Sequence, residues 1–132
     1  MSVGILLISH PGIASNLLET ARKLFADAPL QAQVIEVPFD SSVDQALQLA
    51  GGCLRELNQG QGVLILTDLY GSTPANICNC LLEEPGFKLV SGLNLPMLIR
   101  ALNYPDLDLT ALAEKAASGG RDGILICDCK QP

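Results

Sequence analysis

Continuous apolar runs alternate with helical spacings of apolar residues along the whole chain of 132 residues. A short apolar run followed by turn residues is typical of a strand buried on both faces, and apolar positions three and four apart are typical of an amphipathic helix. The pattern predicts five strands, at Val3–Ser9, Gln33–Pro38, Gly62–Thr67, Phe87–Ser91 and Ile124–Cys127. Strands and helices in alternation predict an α/β fold with an open, mostly parallel sheet and helices on both faces.

Five helices are predicted to connect and follow these strands. They cover about residues 13–27, the stretch after Ser41, residues 73–82, residues 96–102, and a last helix from Asp108 to Gly119-Gly120. Ser41 with an acidic residue three positions later resembles a capping box. The pair Gly51-Gly52 inside the second helix predicts close packing or a kink, because glycine is unfavourable in a helix interior. No linker or repeat interrupts the pattern, so residues 1–132 are expected to form one domain.

Charge and apolar content exclude several classes of partner. Eight basic and fourteen acidic residues give a net charge of −6, and the basic residues are scattered. Nucleic acid and anionic membranes are therefore not expected as partners. The longest apolar run near the N-terminus is too short for a membrane span or a signal peptide. We expect a cytoplasmic protein.

The five cysteines are expected to be reduced thiols, because the chain shows no export signal. Cys78 and Cys80 on one side, and Cys127 and Cys129 on the other, resemble the ligand pairs of a zinc site. Residues two apart on a helix point about 200° apart, however, so Cys78 and Cys80 are poorly placed to share one ion. Neither a metal nor a cofactor is predicted, and Cys53 is expected in the core.

His10 and Asp68 are the candidate catalytic residues. If the second and third strands flank the first, the winding of the sheet reverses between the first and third strands, where ligands of open sheets bind. His10, the only histidine, follows the first strand, and Asp68 follows the third. A carboxylate that accepts the Nδ1 proton of an imidazole leaves Nε2 as a nucleophile. The alternative is that His10 is an ordinary turn residue and that Asp68 caps its own loop.

Gly71, Ser72 and Thr73 form a candidate phosphate site. They lead through a proline into a predicted helix, so backbone N–H groups, hydroxyls and the positive end of the helix dipole lie together. Ser or Thr before Pro is also an ordinary helix start. Beside a nucleophilic histidine, this arrangement indicates phosphoryl transfer.

Three motifs give the chain a resemblance to the IIA component of the mannose-type sugar phosphotransferase system (PTS) along essentially its whole length. They are Ile8-Ser9-His10, the loop Thr67-Asp68-Leu69-Tyr70-Gly71-Ser72-Thr73-Pro74, and Ser91-Gly92-Leu93-Asn94-Leu95-Pro96-Met97-Leu98. The resemblance implies a cytoplasmic homodimer whose last, antiparallel strand is exchanged between subunits. It also implies that His10 accepts a phosphoryl group from phospho-HPr and passes it to a IIB component, with Asp68 orienting His10.

The chain departs from the family pattern at two positions. Pro11 stands where the family often has glycine, and Gly71-Ser72-Thr73-Pro74 replaces a common Gly-Gly-Ser-Pro. The phosphate-binding hydroxyl of the family is therefore assigned to Thr73, with Ser72 as a second donor. No IIB domain is recognised in the chain, so we expect the IIB partner to be a separate polypeptide.

Two other functions remain open. One is a regulatory module of the same family, phosphorylated by HPr but without a transporter. The other is the phosphotransfer subunit of a dihydroxyacetone kinase, which shares the fold and the histidine. The sugar, if there is one, is not determined by these residues, because no sugar contacts this component in the family's mechanism.

Overall fold

Four parallel strands form the centre of the computed structural model, which describes residues 2–25, 31–69, 73–81 and 86–128. The strands are β1 (Gly4–Ser9), β2 (Ala32–Glu36), β3 (Val63–Thr67) and β4 (Phe87–Ser91). They lie in the order β2-β1-β3-β4, so the winding does reverse between β1 and β3, as predicted. In the register of the sheet, Ser9 lies beside Glu36, and Ile8 lies beside Thr67.

Five helices cover the two faces of the sheet. They are α1 (Ala14–Leu24), α2 (Val43–Leu57), α3 (Thr73–Leu81), α4 (Leu95–Leu102) and α5 (Leu109–Asp122). One core layer packs α1, α4 and α5 against the sheet, and the other packs α2 and α3 against the opposite face. Because β1 and β3 are covered on both faces, all their residues are buried, which explains their continuous apolar runs.

Among the described residues the sheet has four strands and not the predicted five. The segment predicted as the fifth strand, Ile124–Cys127, belongs to no strand and is exposed. Its apolar pattern is that of a buried strand, but strand pairing requires a neighbouring edge, and here the segment follows α5 without joining one.

Two predicted helix features are also wrong, and one of the two explanations for the glycine pair in α2 is excluded. The N-cap of α2 is Ser42, whose side chain accepts a hydrogen bond from the Gln45 N–H, and not Ser41. The last helix continues through Gly119-Gly120 to Asp122, because α4 packs so closely on α5 that a side chain would not fit there. Gly51, by contrast, has only the end of the Arg55 side chain near it, so close packing does not explain the pair in α2.

The first helix is shorter than predicted. It ends at Leu24, and the last residues of the predicted range, 26 and 27, lie outside the described residues. Among the described helices, none combines the length and the apolar character that a membrane span requires.

Candidate active site

The His10 imidazole and the Asp68 carboxylate meet at the carboxyl ends of β1 and β3. Nδ1 of His10 lies 2.8 Å from Oδ2 of Asp68, and the same oxygen accepts the His10 backbone N–H at 3.1 Å. An ionised carboxylate only accepts hydrogen bonds, so the ring nitrogen that faces it carries the proton. The geometry therefore assigns the neutral ring a protonated Nδ1 and an Nε2 with a free lone pair.

Asp68 is held in its ionised form. Burial of the carboxyl acts to raise its pKa, but the hydrogen bonds from the ring and backbone of His10, together with the charge that the ring carries when it is protonated, outweigh burial and lower the pKa. The second oxygen, Oδ1, accepts the Leu69 N–H at 3.0 Å. Asp68 thus both turns its own loop and orients His10, so the two interpretations of this residue hold together.

The imidazole is partly open to solvent and has an aromatic neighbour. The His10 side chain is 24% exposed, against 9% for Asp68. The ring of Phe39, from the loop between β2 and α2, lies 5.5 Å from the His10 ring, centroid to centroid, with 35° between the planes. Phe39 is itself 86% exposed. A macromolecular partner could therefore reach the histidine directly.

Two acceptors to which the sequence analysis assigned no role hold the loop after His10. The buried Ser9 hydroxyl donates to the His10 carbonyl at 2.8 Å and accepts the Ala14 N–H at 2.9 Å. The Glu36 carboxylate accepts the Gly12 N–H and the Ser15 N–H, each at 2.9 Å. The available signal was position, since a polar residue at the carboxyl end of a parallel strand lies at the edge where open sheets place their sites.

The three predicted phosphate-binding residues are only partly within the described residues. Gly71 and Ser72 lie outside them. Thr73 is the first residue of α3 and is exposed. Because α3 follows β3 and packs against β1 and β3, its N-terminus lies at the same edge of the sheet as Asp68.

The four described cysteines are free thiols that differ in burial. Cys78 is buried in α3, and burial raises the pKa of its thiol to about 12, so the thiol stays protonated. Cys80 and Cys127 are exposed, Cys53 packs against the core, and Cys129 lies outside the described residues. The described part of the chain contains no cluster of side chains suited to a metal ion.

The chain resembles known proteins over most of its length. It is 27% identical over 127 residues to the "PTS system mannose-specific EIIAB component" of Escherichia coli (strain K12), a match that covers 94% of this chain and 39% of that protein. It is 30% identical over 116 residues to the "Transcriptional regulatory protein LevR" of Bacillus subtilis (strain 168), covering 83% of this chain and 12% of that protein. The chain thus spans well under half the length of either relative.

The solved structure is the mannose/sorbose-specific IIA subunit of the phosphotransferase system from Enterococcus faecalis. It superposes with a TM-score of 0.84 at 25% identity, and the match covers 97% of this chain and 96% of that one. The family model EIIA-man, described as "PTS system fructose IIA component", matches residues 4–117. The chain therefore belongs to the EIIA-man family of PTS IIA components.

Proposed function

We propose that this chain is a phosphohistidine carrier in phosphoenolpyruvate-dependent sugar uptake. His10 accepts a phosphoryl group from phospho-HPr and passes it to a IIB component. The contact of Asp68 Oδ2 with His10 Nδ1 carries the proposal, because it prepares the opposite ring nitrogen, Nε2, for attack. Membership of the EIIA-man family supports the same chemistry.

In this mechanism one phosphorus–nitrogen bond replaces another. The Nε2 lone pair of His10 attacks the phosphorus of the donor phosphohistidine, and the bond from phosphorus to the donor ring breaks, which returns its electron pair to that ring. The His10 ring becomes cationic while it keeps its Nδ1 proton, and the Asp68 carboxylate stabilises that charge. The second transfer reverses these roles, with a nucleophile of the IIB component as the attacking group.

The N-terminus of α3 is the proposed position of the phosphoryl oxygens. Backbone N–H groups at a helix start and the helix dipole favour an anion. We assign Thr73 as the hydroxyl donor there, with Gly71 and Ser72 as further contacts. These assignments rest on the sequence motif and on the placement of α3 at the site edge.

Phosphorylation by a reconstituted relay tests the proposal. The protein is incubated with phosphoenolpyruvate, enzyme I and HPr, and its intact mass is measured. We expect the gain of one acid-labile phosphoryl group in the wild type and none in His10→Ala. An NMR spectrum that shows the phosphorus on Nδ1, or label on His10→Ala, would contradict the mechanism.

A regulatory role is the second candidate function. The similarity to LevR, whose name describes a transcriptional regulatory protein, favours it. In that case phospho-His10 forms as above, but the phosphoryl group is not passed to a IIB component. Incubating the isolated phosphoprotein with IIB components encoded in the same genome separates the two roles, because only a transport component is rapidly dephosphorylated by one of them.

We also propose that the chain acts as a homodimer through its C-terminal segment, Ile124–Cys127. The apolar side chains of this segment are among the most exposed of the described residues, and Ile126 is fully exposed. The edge strand β4 borders a groove of about 450 Å³ that α5 closes on the other side. An exchanged strand along β4 would bury the segment and fill the groove.

A further inference from the structure

The loop that carries His10 is held by side chains from three neighbouring strands. Ser9 of β1 bonds to the His10 carbonyl and the Ala14 N–H, and Asp68 after β3 bonds to the His10 N–H. The third acceptor is Glu36, the last residue of β2, which the sheet register places beside Ser9. Its carboxylate accepts the N–H of Gly12 in the loop and the N–H of Ser15 in the first turn of α1.

The loop needs these distant acceptors because α1 lacks a side-chain cap of its own. Its N-cap residue is Ile13, which makes no side-chain hydrogen bond to the helix. The first amides of a helix have no partner within the helix and must find one elsewhere. Here Glu36 Oε1 accepts a hydrogen bond from the Gly12 N–H, and Oε2 accepts hydrogen bonds from the N–H and the hydroxyl of Ser15.

Gly12 is the point at which the loop is most easily distorted. Its φ of +83° lies in the left-handed region, which glycine enters and leaves at little cost. Pro11 before it has a fixed φ and no N–H. The bond from the Gly12 N–H to Glu36 therefore restrains the residue with the greatest backbone freedom between His10 and α1.

Glu36 also makes the N-terminus of α1 unavailable to an added anion. Its carboxylate lies at the positive end of α1 and occupies amides there that a phosphoryl oxygen could otherwise use. Glu36 thus restrains the histidine loop without serving as a phosphate ligand.

From these contacts we infer that Glu36 is a positioning residue for His10. By holding Gly12 and Ser15, it keeps the imidazole in the orientation in which Nδ1 faces Asp68 and Nε2 faces the donor. The part concerning transfer rests on the proposed function, whereas the part concerning the orientation of the ring does not.

Glu36→Gln is the test variant, because it keeps the size of the side chain but leaves one oxygen to accept where two now do. In the unphosphorylated protein we expect faster hydrogen exchange at the Gly12 or Ser15 amide and a shift of the His10 ring ¹⁵N resonances. At saturating phospho-HPr we expect single-turnover transfer to fall about ten- to a hundredfold, while the donor concentration for half-maximal rate changes less than about threefold.

Glu19→Gln is the matched control. Like Glu36→Gln, it removes one negative charge, but Glu19 lies in α1 and pairs only with the exposed Lys23 in the described structure. We expect wild-type transfer and unchanged His10 resonances. Ser15→Ala removes one hydroxyl donor and keeps both amide hydrogen bonds to Glu36. We expect its transfer rate to lie between those of the control and Glu36→Gln.

A Glu36→Gln protein that is less stable but transfers at the wild-type rate, with unmoved His10 resonances, would overturn the inference, since Glu36 would then be only a helix cap. If the wild type takes no phosphoryl group from phospho-HPr, the proposed function fails, and the ring resonances of Glu36→Gln still decide whether Glu36 positions His10.

Discussion

At the scale of single residues, the proposed chemistry of the site rests on the pair of His10 and Asp68. One carboxylate oxygen of Asp68 accepts both the ring Nδ1–H and the backbone N–H of His10. Ring and backbone are therefore oriented by the same atom. This double contact explains how a partly exposed imidazole keeps one tautomer without being enclosed.

The first prediction separates the charge of Asp68 from its shape. Asp68→Asn keeps the size and one accepting oxygen but removes the charge that stabilises the cationic ring. We expect a folded protein whose phosphoryl uptake from phospho-HPr falls roughly ten- to a thousandfold, or about 1.4 to 4 kcal/mol of barrier. Rapid-quench measurement of the uptake rate checks this, with circular dichroism as the control for folding. Wild-type uptake would restrict Asp68 to its role in the turn.

The second prediction concerns acid stability and Glu36. The hydrogen bond from the Ser15 hydroxyl, followed by those from the Gly12 and Ser15 amides, holds the pKa of Glu36 below its ordinary value of 4.5 against the effect of burial. The folded state therefore binds fewer protons than the unfolded state in acid. The stabilisation is present above the unfolded-state pKa and is lost as the pH falls through the folded-state pKa.

Glu36→Gln should consequently lose less stability on acidification than the wild type. Urea unfolding at about pH 7 and about pH 3.5 measures the difference in free energy of unfolding between the two proteins. We expect the wild type to be the more stable at the higher pH and the difference to shrink at the lower pH. A difference that does not depend on pH would contradict the ionic contribution of Glu36.

At the scale of secondary-structure elements, glycines with similar local sequence have opposite roles. Gly51 lies in α2, where an added Cβ would be 3.5 Å from the end of the flexible Arg55 side chain. Gly119 lies in α5, where an added Cβ would be 2.7 Å from Cβ of Arg100 in α4. Only the second glycine is required by packing.

The third prediction follows from this contrast. Gly51→Ala should stabilise the protein by up to about 1 kcal/mol, because alanine favours the helix and has room. Gly119→Ala should destabilise it by about 1 to 3 kcal/mol, because α4 and α5 must move apart. Urea unfolding of both variants checks the prediction. A stabilising Gly119→Ala would mean that the contact between α4 and α5 gives way easily.

At the scale of the whole molecule, the single chain leaves the apolar side chains of the C-terminal segment Ile124–Cys127 exposed to solvent. Ile124, Leu125 and Ile126 are 74%, 76% and 102% exposed. Full burial of a large aliphatic side chain contributes about 1.5 to 3 kcal/mol. A second copy that pairs with this segment would therefore gain considerable stability.

The fourth prediction is that this segment holds the proposed dimer together. Ile124→Asp with Ile126→Asp should shift the protein from dimer to monomer at low micromolar concentration, as measured by sedimentation. Leu49→Asp, at an exposed position of α2, is the control and should leave the dimer intact. A double variant that stays fully dimeric would contradict the strand exchange.

The sequence by itself determined the strands β1 to β4 and the mostly parallel sheet, and it predicted that His10 meets Asp68 if β1 and β3 are neighbours. Strands covered on both faces must be apolar throughout, so β1 and β3 are visible as continuous runs. Parallel neighbouring strands end at the same edge, so residues just after them must be close. These inferences need only local pattern and general topology.

Only the tertiary structure decided the acceptors around the loop and the boundaries at glycines. Glu36 acts on Gly12 and Ser15 from another strand, and Phe39 reaches His10 from another loop, so no spacing along the chain indicates either contact. The glycine pair at residues 119–120 has the local character of a helix end, yet the packing of α4 on α5 keeps it helical. Local propensities differ by about 1 kcal/mol per residue, and contacts between distant segments outweigh them.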